Sequence, residues 1–189
     1  EVISGIEEAR LIYLGVSHHM PSEPGRRLVT DIDGGSTEII IGEGVHAKKL
    51  ESLHMGCVSM TARFFNDGEI TEKRMKRARL AARLELEPVR ATFRGYGWDH
   101  AVGSSGTIRM VSDILRARPG SDGTVTSAAV ESLIEQAIRA GDASKLRSQV
   151  QPPSAQRPPF PARKDQLAFA PLPKAHLAEK IKRPAPQDT

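Results

Sequence analysis

Cysteine, aromatic residues and long apolar runs are scarce in this chain of 189 residues. The single cysteine, Cys57, excludes an intramolecular disulfide and a zinc site built from several cysteines. Aromatic residues make up 4% of the chain, so the core must be packed mainly from leucine, isoleucine, valine and alanine. No apolar run approaches the ~20 residues of a membrane-spanning helix, and no signal segment follows Glu1. We therefore expect a cytoplasmic protein without a transmembrane segment.

A basic domain surface is also missing, although the formal net charge is +4. Residues 148–189 contain seven Lys/Arg and three Asp/Glu residues, so this segment accounts for the whole net charge. Residues 1–147 are neutral. Proteins that bind nucleic acid need a concentrated positive surface, and we therefore expect no nucleic-acid partner.

Proline divides the chain into two parts. Nine of the thirteen prolines follow Val150, where they prevent regular helix and remove backbone donors. We predict that residues 148–189 form a disordered, basic, proline-rich tail. Two alternatives remain open, namely a proline-rich ligand for a partner domain and out-of-frame translation of a GC-rich gene.

Apolar patterning in residues 1–147 predicts a mixture of strands and helices, and the length of the chain suits one ordinary domain or part of a larger one. The strands are expected to form a meander whose first two members are a hairpin, and a strand is expected to end at residues 2–3. In the first helix we expect Ile6, Leu11 and Leu14, together with Tyr13, to face the core. The predicted strands cover 28–32, 38–42, 45–53 and 98–102, and the predicted helices cover 7–18, 56–65, 71–93 with Pro88 inside, 108–116 and 127–139.

A glycine-rich turn joins the two strands of the predicted hairpin. The sequence Asp-Ile-Asp-Gly-Gly-Ser-Thr-Glu runs from Asp31 to Glu38, and its backbone N–H groups and hydroxyls could converge on an anion. Asp31 and Glu38 flank the turn, where a carboxylate pair could hold Mg²⁺ with phosphate oxygens. An ordinary surface hairpin uses the same residue types, so this alternative stays open.

Two further turns and one helix start could serve the same chemistry. Residues 103–107 join a strand to a helix whose N-terminus would face an anion. Residues 55–59 form a weaker candidate of the same kind, in which we expect Cys57 to be buried. Glu7 and Glu8 open the first helix, where they either complement the helix dipole or supply a base that activates water.

Four stretches in this order and spacing resemble one family. They read EVISGIEEARLIYLG at 1–15, DIDGGSTE at 31–38, MGCVS at 55–59 and GSSGTI at 103–108. Over residues 1–147 the chain resembles exopolyphosphatases and guanosine pentaphosphate phosphatases. The resemblance implies an incomplete actin-like (ribonuclease H-like) α/β lobe with a mixed sheet flanked by helices, formed by the end of a first lobe and most of a second.

The resemblance also implies a function and a set of site residues. The family uses Mg²⁺ to release terminal phosphate from polyphosphate or the 5′-phosphate of guanosine pentaphosphate, which links it to the stringent response, and full-length relatives are typically homodimers. By position, Glu8 matches the water-activating base, and Asp31 and Glu38 match the metal and phosphate carboxylates. The implied phosphate-binding residues are Gly34, Gly35, Ser36, Thr37, Gly103, Ser104, Ser105, Gly106 and Thr107.

Two departures from the family pattern lower the expected activity. Asp33 stands where the family has glycine, so its side chain would be strained at a positive φ and its charge would oppose phosphate. We expect Asp33→Gly to raise phosphate affinity. The family's other phosphate hairpin would precede Glu1, so we expect little or no activity from this chain. A non-catalytic phosphate- or nucleotide-binding remnant and a small-molecule kinase of the same superfold remain alternatives.

Overall fold

The computed structural model describes residues 3–21 and 23–150, with the side chains of residues 147–150 excepted. Helices and strands alternate along this part of the chain. In chain order the elements are α1 (Gly5–His19), β1 (Arg26–Ile32), β2 (Thr37–Glu43), β3 (His46–Leu53), α2 (Cys57–Phe64), α3 (Glu72–Tyr96), β4 (His100–Gly103), α4 (Gly106–Arg116), α5 (Ser127–Ala140) and α6 (Ala143–Val150).

The four strands form one mixed sheet in the order β3-β2-β1-β4. β1 pairs antiparallel with β2, and β2 pairs antiparallel with β3, which confirms the predicted hairpin and meander. β4 adds to the free edge of β1 in the parallel direction, beginning at His100 rather than at residue 98. The predicted mixed sheet flanked by helices is therefore confirmed.

Helix α1 covers one face of the sheet, and of its four side chains that we predicted to face the core only Tyr13 is buried. Ala9 and Tyr13 are buried against this face, and Tyr13 donates a hydrogen bond to the carbonyl of Gly44 at 3.1 Å. A Cβ on Gly42 would clash with the Tyr13 ring, so the glycine makes room for it. The predicted core positions Ile6, Leu11 and Leu14 were wrong: they are 42%, 51% and 43% exposed.

The other face of the sheet is partly covered by α3. This helix has 25 residues and continues through Pro88. Between α3 and the sheet lies a cavity of about 630 Å³. Its lining is apolar and includes Leu28, Ile39, Leu86, Val89, Phe93 and Trp98.

Some predictions fall wholly or partly outside the described residues. Val2 lies outside them, and Ile3 is not in a strand. Helix α6 runs to Val150, and the remainder of the predicted proline-rich tail lies beyond the described part, so the boundary at residue 147 stays a prediction. Among the described helices, none combines the length and apolarity required to cross a membrane.

Candidate active site

Three polar side chains form a row across β1, β2 and β3. Asp31 pairs with Glu38, and Glu38 pairs with Ser52 in the strand register. Side chains on a strand alternate between the two faces of the sheet, and directly paired residues share a face. Because the buried core residue Ile40 lies two positions after Glu38 and packs with Ala9 and Tyr13 of α1, the row belongs to the α1 side of the sheet.

Both carboxylates of this row are buried and only half satisfied. Glu38 has no exposed surface, and its Oε1 accepts a hydrogen bond from Ser52 Oγ at 2.8 Å. Asp31 is 6% exposed, and its Oδ2 accepts from Ser104 Oγ at 2.7 Å. Within the described residues, Glu38 Oε2 and Asp31 Oδ1 have no hydrogen-bond partner. A buried oxygen without a partner is unfavourable, whereas a hard cation would satisfy it.

The first turn of α1 places Glu8 beside this row. The helix begins after Ser4, whose Oγ accepts from the Glu7 N–H at 3.3 Å, and the Glu8 N–H donates to the Ser4 carbonyl at 2.9 Å. A Cβ on Gly5 would clash with Ser52, so the absence of a side chain lets this turn lie against β3. One carboxylate oxygen from each of Glu8, Asp33 and Glu38 lies within 4.8 Å of the other two.

Burial and mutual repulsion alter the acidity of this group. Burial is the main reason why the pKa of Glu8 lies above its ordinary value, and the charges of Glu38, Asp33 and Asp31 raise it further. Burial likewise raises the pKa of Asp31, against the lowering effect of the hydrogen bond from Ser104. The site therefore favours a proton or a cation among its carboxyl groups.

The glycine-rich turn is held against the N-terminus of α2. The carbonyl of Asp33 accepts from the Cys57 N–H at 2.8 Å, and the carbonyl of Gly34 accepts from the N–H groups of Val58 at 2.9 Å and Ser59 at 3.0 Å. The backbone donors of this helix start are thus used within the protein, which removes residues 55–59 as an anion site. Cys57 is exposed, so the prediction that it is buried was wrong. It occupies the first position of α2 and is one of the residues that line the apolar cavity.

Asp33 fits the turn without backbone strain. No residue other than glycine has a positive φ in the described part of the chain, so the steric objection to Asp33 was wrong. Its side chain is exposed. Compared with glycine, the remaining reason why Asp33 would weaken anion binding is therefore its negative charge.

Several hydroxyls predicted to bind phosphate are engaged elsewhere. Thr37 Oγ1 donates to the Met55 carbonyl at 2.6 Å, and Ser104 donates to Asp31. Ser105 caps α4 by accepting from the Ile108 N–H at 3.2 Å. In the described residues, the Ser36 and Thr107 hydroxyls have no such partner and remain candidate donors.

The three glycines outside the docked part of the turn differ in their surroundings. A Cβ on Gly103 would clash with Ile108, so this glycine serves the packing of α4. Gly35 and Gly106 face open space, which leaves their backbone accessible to a ligand. The hydrogen bond between Ser104 and Asp31 joins the two loops, so the structure brings the two predicted phosphate turns to one end of the sheet.

Two residues of the site were not assigned a constructive role from the sequence. Ser52 holds Glu38, and Asp33 joins the carboxylate cluster. The predicted meander places β3 beside β2, but it does not give the strand register. The register observed in the structure is what pairs Ser52 with Glu38. Asp33 was identified solely as an obstacle to phosphate, since its distance from Glu8 depends on how α1 packs.

A family model described as the Ppx/GppA phosphatase family matches residues 1–158. The chain belongs to the Ppx/GppA phosphatase family. A Haemophilus influenzae protein provisionally named an exopolyphosphatase is 43% identical over 145 residues, which is 77% of this chain and 45% of the relative. An Aeromonas hydrophila guanosine-5′-triphosphate,3′-diphosphate pyrophosphatase is 46% identical over 147 residues, 78% of this chain and 29% of the relative. The chain thus spans less than half the length of either relative.

Solved Ppx/GppA structures share the fold. A Ppx/GppA phosphatase of Aquifex aeolicus superimposes with a TM-score of 0.64 at 26% identity, covering 79% of this chain and 50% of that one. An exopolyphosphatase of Cytophaga hutchinsonii gives 0.65 at 24% identity, with coverage of 80% and 50%. The chain is therefore an α/β, actin-like lobe that corresponds to about half of these structures, as predicted.

Proposed function

We propose that this site belongs to a phosphohydrolase that releases terminal phosphate from inorganic polyphosphate or the 5′-phosphate of guanosine pentaphosphate. The observation that carries the proposal is the position of Glu8 beside Asp31, Glu38 and the glycine-rich turn. The names of the two sequence relatives support these two substrates. Membership of the Ppx/GppA phosphatase family supports the reaction type.

In the proposed reaction, Glu8 acts as the general base. A water molecule attacks the terminal phosphorus, its proton passes to the Glu8 carboxylate, and the phosphoanhydride bond breaks to release phosphate and the shortened chain. The raised pKa of Glu8 makes it a stronger base than an ordinary glutamate. The first turn of α1 is capped by Ser4 and lies against β3, so the backbone that carries Glu8 is positioned before the substrate arrives.

Asp31 and Glu38 would hold Mg²⁺ in this proposal. Each offers a buried carboxylate oxygen without a partner among the described residues, and this donor set fits a hard cation. When bound, Mg²⁺ supplies positive charge next to the phosphate oxygens. The backbone of Gly34, Gly35 and Gly106 and the hydroxyls of Ser36 and Thr107 would position the phosphate.

The test is phosphate release from polyphosphate with Mg²⁺ by the chain, by Glu8→Gln and by the control Glu7→Gln. Glu7 is adjacent but exposed, and it pairs with Arg10 at 3.5 Å. We expect Glu8→Gln to lower the rate by about 10²- to 10⁴-fold, because the general base is lost. The control should keep the rate within about twofold. Measurable release by the chain that Glu8→Gln leaves unchanged would overturn the role of Glu8.

A non-catalytic phosphate-binding protein is the second candidate function. Asp33 counts against turnover, since its carboxylate lies within 4.8 Å of those of Glu8 and Glu38 and opposes a phosphate beside them. The open backbone at Gly35 and Gly106 could still bind an anion away from this cluster. Phosphate binding without release by any variant would support this candidate over hydrolysis. ATP-dependent transfer of phosphate to an acceptor would instead identify a kinase.

A further inference from the structure

The turn residue Asp33 gives this chain a carboxylate at a point where the family pattern has glycine. Its oxygen lies within 4.8 Å of oxygens of both Glu8 and Glu38, although the three residues come from α1, the turn and β2. Asp33 is exposed, Glu8 is half-buried and Glu38 is fully buried, so the cluster extends from the surface into the interior. Three carboxylates at this distance repel one another unless a positive charge lies between them.

A second observation indicates a ligand rather than a chance cluster of acids. Glu38 Oε2 is completely buried and has no hydrogen-bond partner among the described residues. Its other oxygen is held by Ser52, which fixes the orientation of the carboxylate. The neighbouring Asp31 repeats the pattern, with one oxygen held by Ser104 and Oδ1 buried without a partner. Two buried, unsatisfied carboxylate oxygens, each on a side chain held by a serine hydroxyl, are what a bound cation would require.

The spacing fits one hard divalent cation. Metal–oxygen distances of ~2.1 Å for Mg²⁺ and ~2.4 Å for Ca²⁺ place opposite ligands ~4.2 to 4.8 Å apart. Three oxygens within 4.8 Å of one another can therefore reach a single ion directly or through one water. Carboxylates are ligands of choice for Mg²⁺, Mn²⁺ and Ca²⁺, whereas softer metals prefer nitrogen or sulfur.

We propose that Asp33 is a metal ligand which, with Glu8 and Glu38, binds one divalent cation in the absence of phosphate. The family's glycine could not contribute a ligand at this position. When the cation is bound, Asp33 no longer opposes phosphate, and Glu8 is held as a ligand instead of being free to act as a base. The inference rests on the proposed function only in using the same site. Cation binding requires no turnover, so it can be measured whether or not the chain releases phosphate.

The experiment measures Mn²⁺ binding to the metal-free chain in phosphate-free buffer, by loss of the free-Mn²⁺ electron paramagnetic resonance signal. We expect one Mn²⁺ per chain, displaced by Mg²⁺ or Ca²⁺, and a dissociation constant at least tenfold higher for Asp33→Asn and Asp33→Gly. The control is Glu43→Gln, which removes the same charge from an exposed position on β2. Thermal unfolding gives a second readout, in which Mn²⁺ stabilises the chain and the control but not the Asp33 variants.

Several results would overturn the inference. They are the absence of Mn²⁺ binding by the chain, equal affinity in Asp33→Asn, and an equal loss of affinity in Glu43→Gln. A dependence of Mn²⁺ binding on Asp33 without any phosphate release would leave the inference standing and overturn the proposed hydrolysis. If the chain releases phosphate but its Mn²⁺ affinity does not depend on Asp33, the proposed hydrolysis stands and the inference about Asp33 is overturned. Phosphate binding by Asp33→Gly should exceed that of the chain in EDTA, and the difference should shrink with Mn²⁺.

Discussion

At the scale of single residues, the site is a set of carboxyl groups that the fold holds close together. In the described part of the chain, no ion pair with a basic side chain is formed by Glu8, Asp31, Asp33 or Glu38. Glu8 and Asp31 both have a raised pKa, each mainly because of burial and further because of the other acids. Elsewhere in the described chain, acids paired with a cation behave in the opposite way: Arg79 lowers the pKa of Glu131 through a charged hydrogen bond. The same residue type thus serves as a surface ion pair in one place and as a destabilising, reactive group in the other.

The raised pKa of Glu8 predicts a pH-dependent contribution to stability. Below the ordinary value of 4.5, Glu8 is protonated in both the folded and the unfolded chain. As pH rises through 4.5 and then through the raised folded pKa, the unfolded chain loses its proton first, and the folded chain is destabilised. We expect Glu8→Gln to become progressively more stable than the parent chain over this range. Urea unfolding of both proteins in EDTA from pH 4 to pH 7 measures the difference.

A difference in unfolding free energy that falls as pH rises would contradict this prediction. Added Mn²⁺ provides an internal check, because a cation among the carboxylates removes the repulsion. The difference between Glu8→Gln and the parent chain should then disappear or change sign at neutral pH. Surface acids such as Asp67, whose pKa is lowered by Arg74, stabilise the folded chain as pH rises. They do so equally in both proteins, so their contribution cancels in the difference between the two unfolding free energies.

At the scale of elements, the docking of α1 on β2 and β3 decides where Glu8 lies. Two glycines make this contact possible, since Gly5 meets Ser52 and Gly42 meets Tyr13 without the clash that a Cβ would cause. Tyr13 is 1% exposed and bonds to Gly44 across the sheet edge. The helix is thereby fixed at its first turn and at its middle, which places the backbone that carries Glu8 against β3.

This packing predicts very different effects for two large residues of α1. Tyr13→Ala should lower the free energy of unfolding by about 3 to 5 kcal/mol, because it removes a buried ring. Leu11→Ala should change it by less than about 1 kcal/mol, since Leu11 is 51% exposed. Denaturant titration of the two variants checks the prediction. A larger loss for Leu11→Ala would mean that α1 packs with the face that we expected from the sequence.

At the scale of the whole molecule, the two faces of the sheet have different roles. The α1 face carries Asp31, Glu38 and Ser52 and forms the site. The opposite face carries Leu28, Ile39 and their neighbours, which line the apolar cavity below α3. A cavity of about 630 Å³ is large enough for a small aromatic molecule. The chain therefore places the carboxylate cluster and this apolar cavity on opposite sides of the four-stranded sheet.

The cavity predicts binding of the dye 8-anilinonaphthalene-1-sulfonate by the folded chain. Leu86→Glu should reduce the dye fluorescence several-fold, because it introduces a charge into the apolar lining. The control is Leu84→Glu on the same helix, where Leu84 is 65% exposed and outside the lining. Unchanged circular dichroism must accompany both substitutions. Equal fluorescence from the two variants would place the dye somewhere else on the protein.

The sequence alone predicted nine of the ten described elements, all except α6, and the motifs on which the proposed site rests. Two short apolar runs with a glycine-rich turn between them specify the hairpin of β1 and β2, because a tight turn between two strands has few other solutions. The cap residues Ser4, Thr71, Ser105 and Thr126 are local signals as well, since each side chain accepts from a backbone N–H three residues later. The motifs DIDGGSTE and GSSGTI likewise indicated the correct family.

The tertiary structure decided which face of α1 is buried, which residue holds Glu38 and what Asp33 is near. α1 has apolar residues on more than one side, so its periodicity permits several orientations, and the room at Gly42 selects the one with Tyr13 inside. Ser52 and Glu38 meet through strand register, and Asp33 meets Glu8 through helix docking. These contacts join residues that are far apart in the chain, and no local pattern encodes such distances. The carboxylate cluster is therefore a property of the packed molecule.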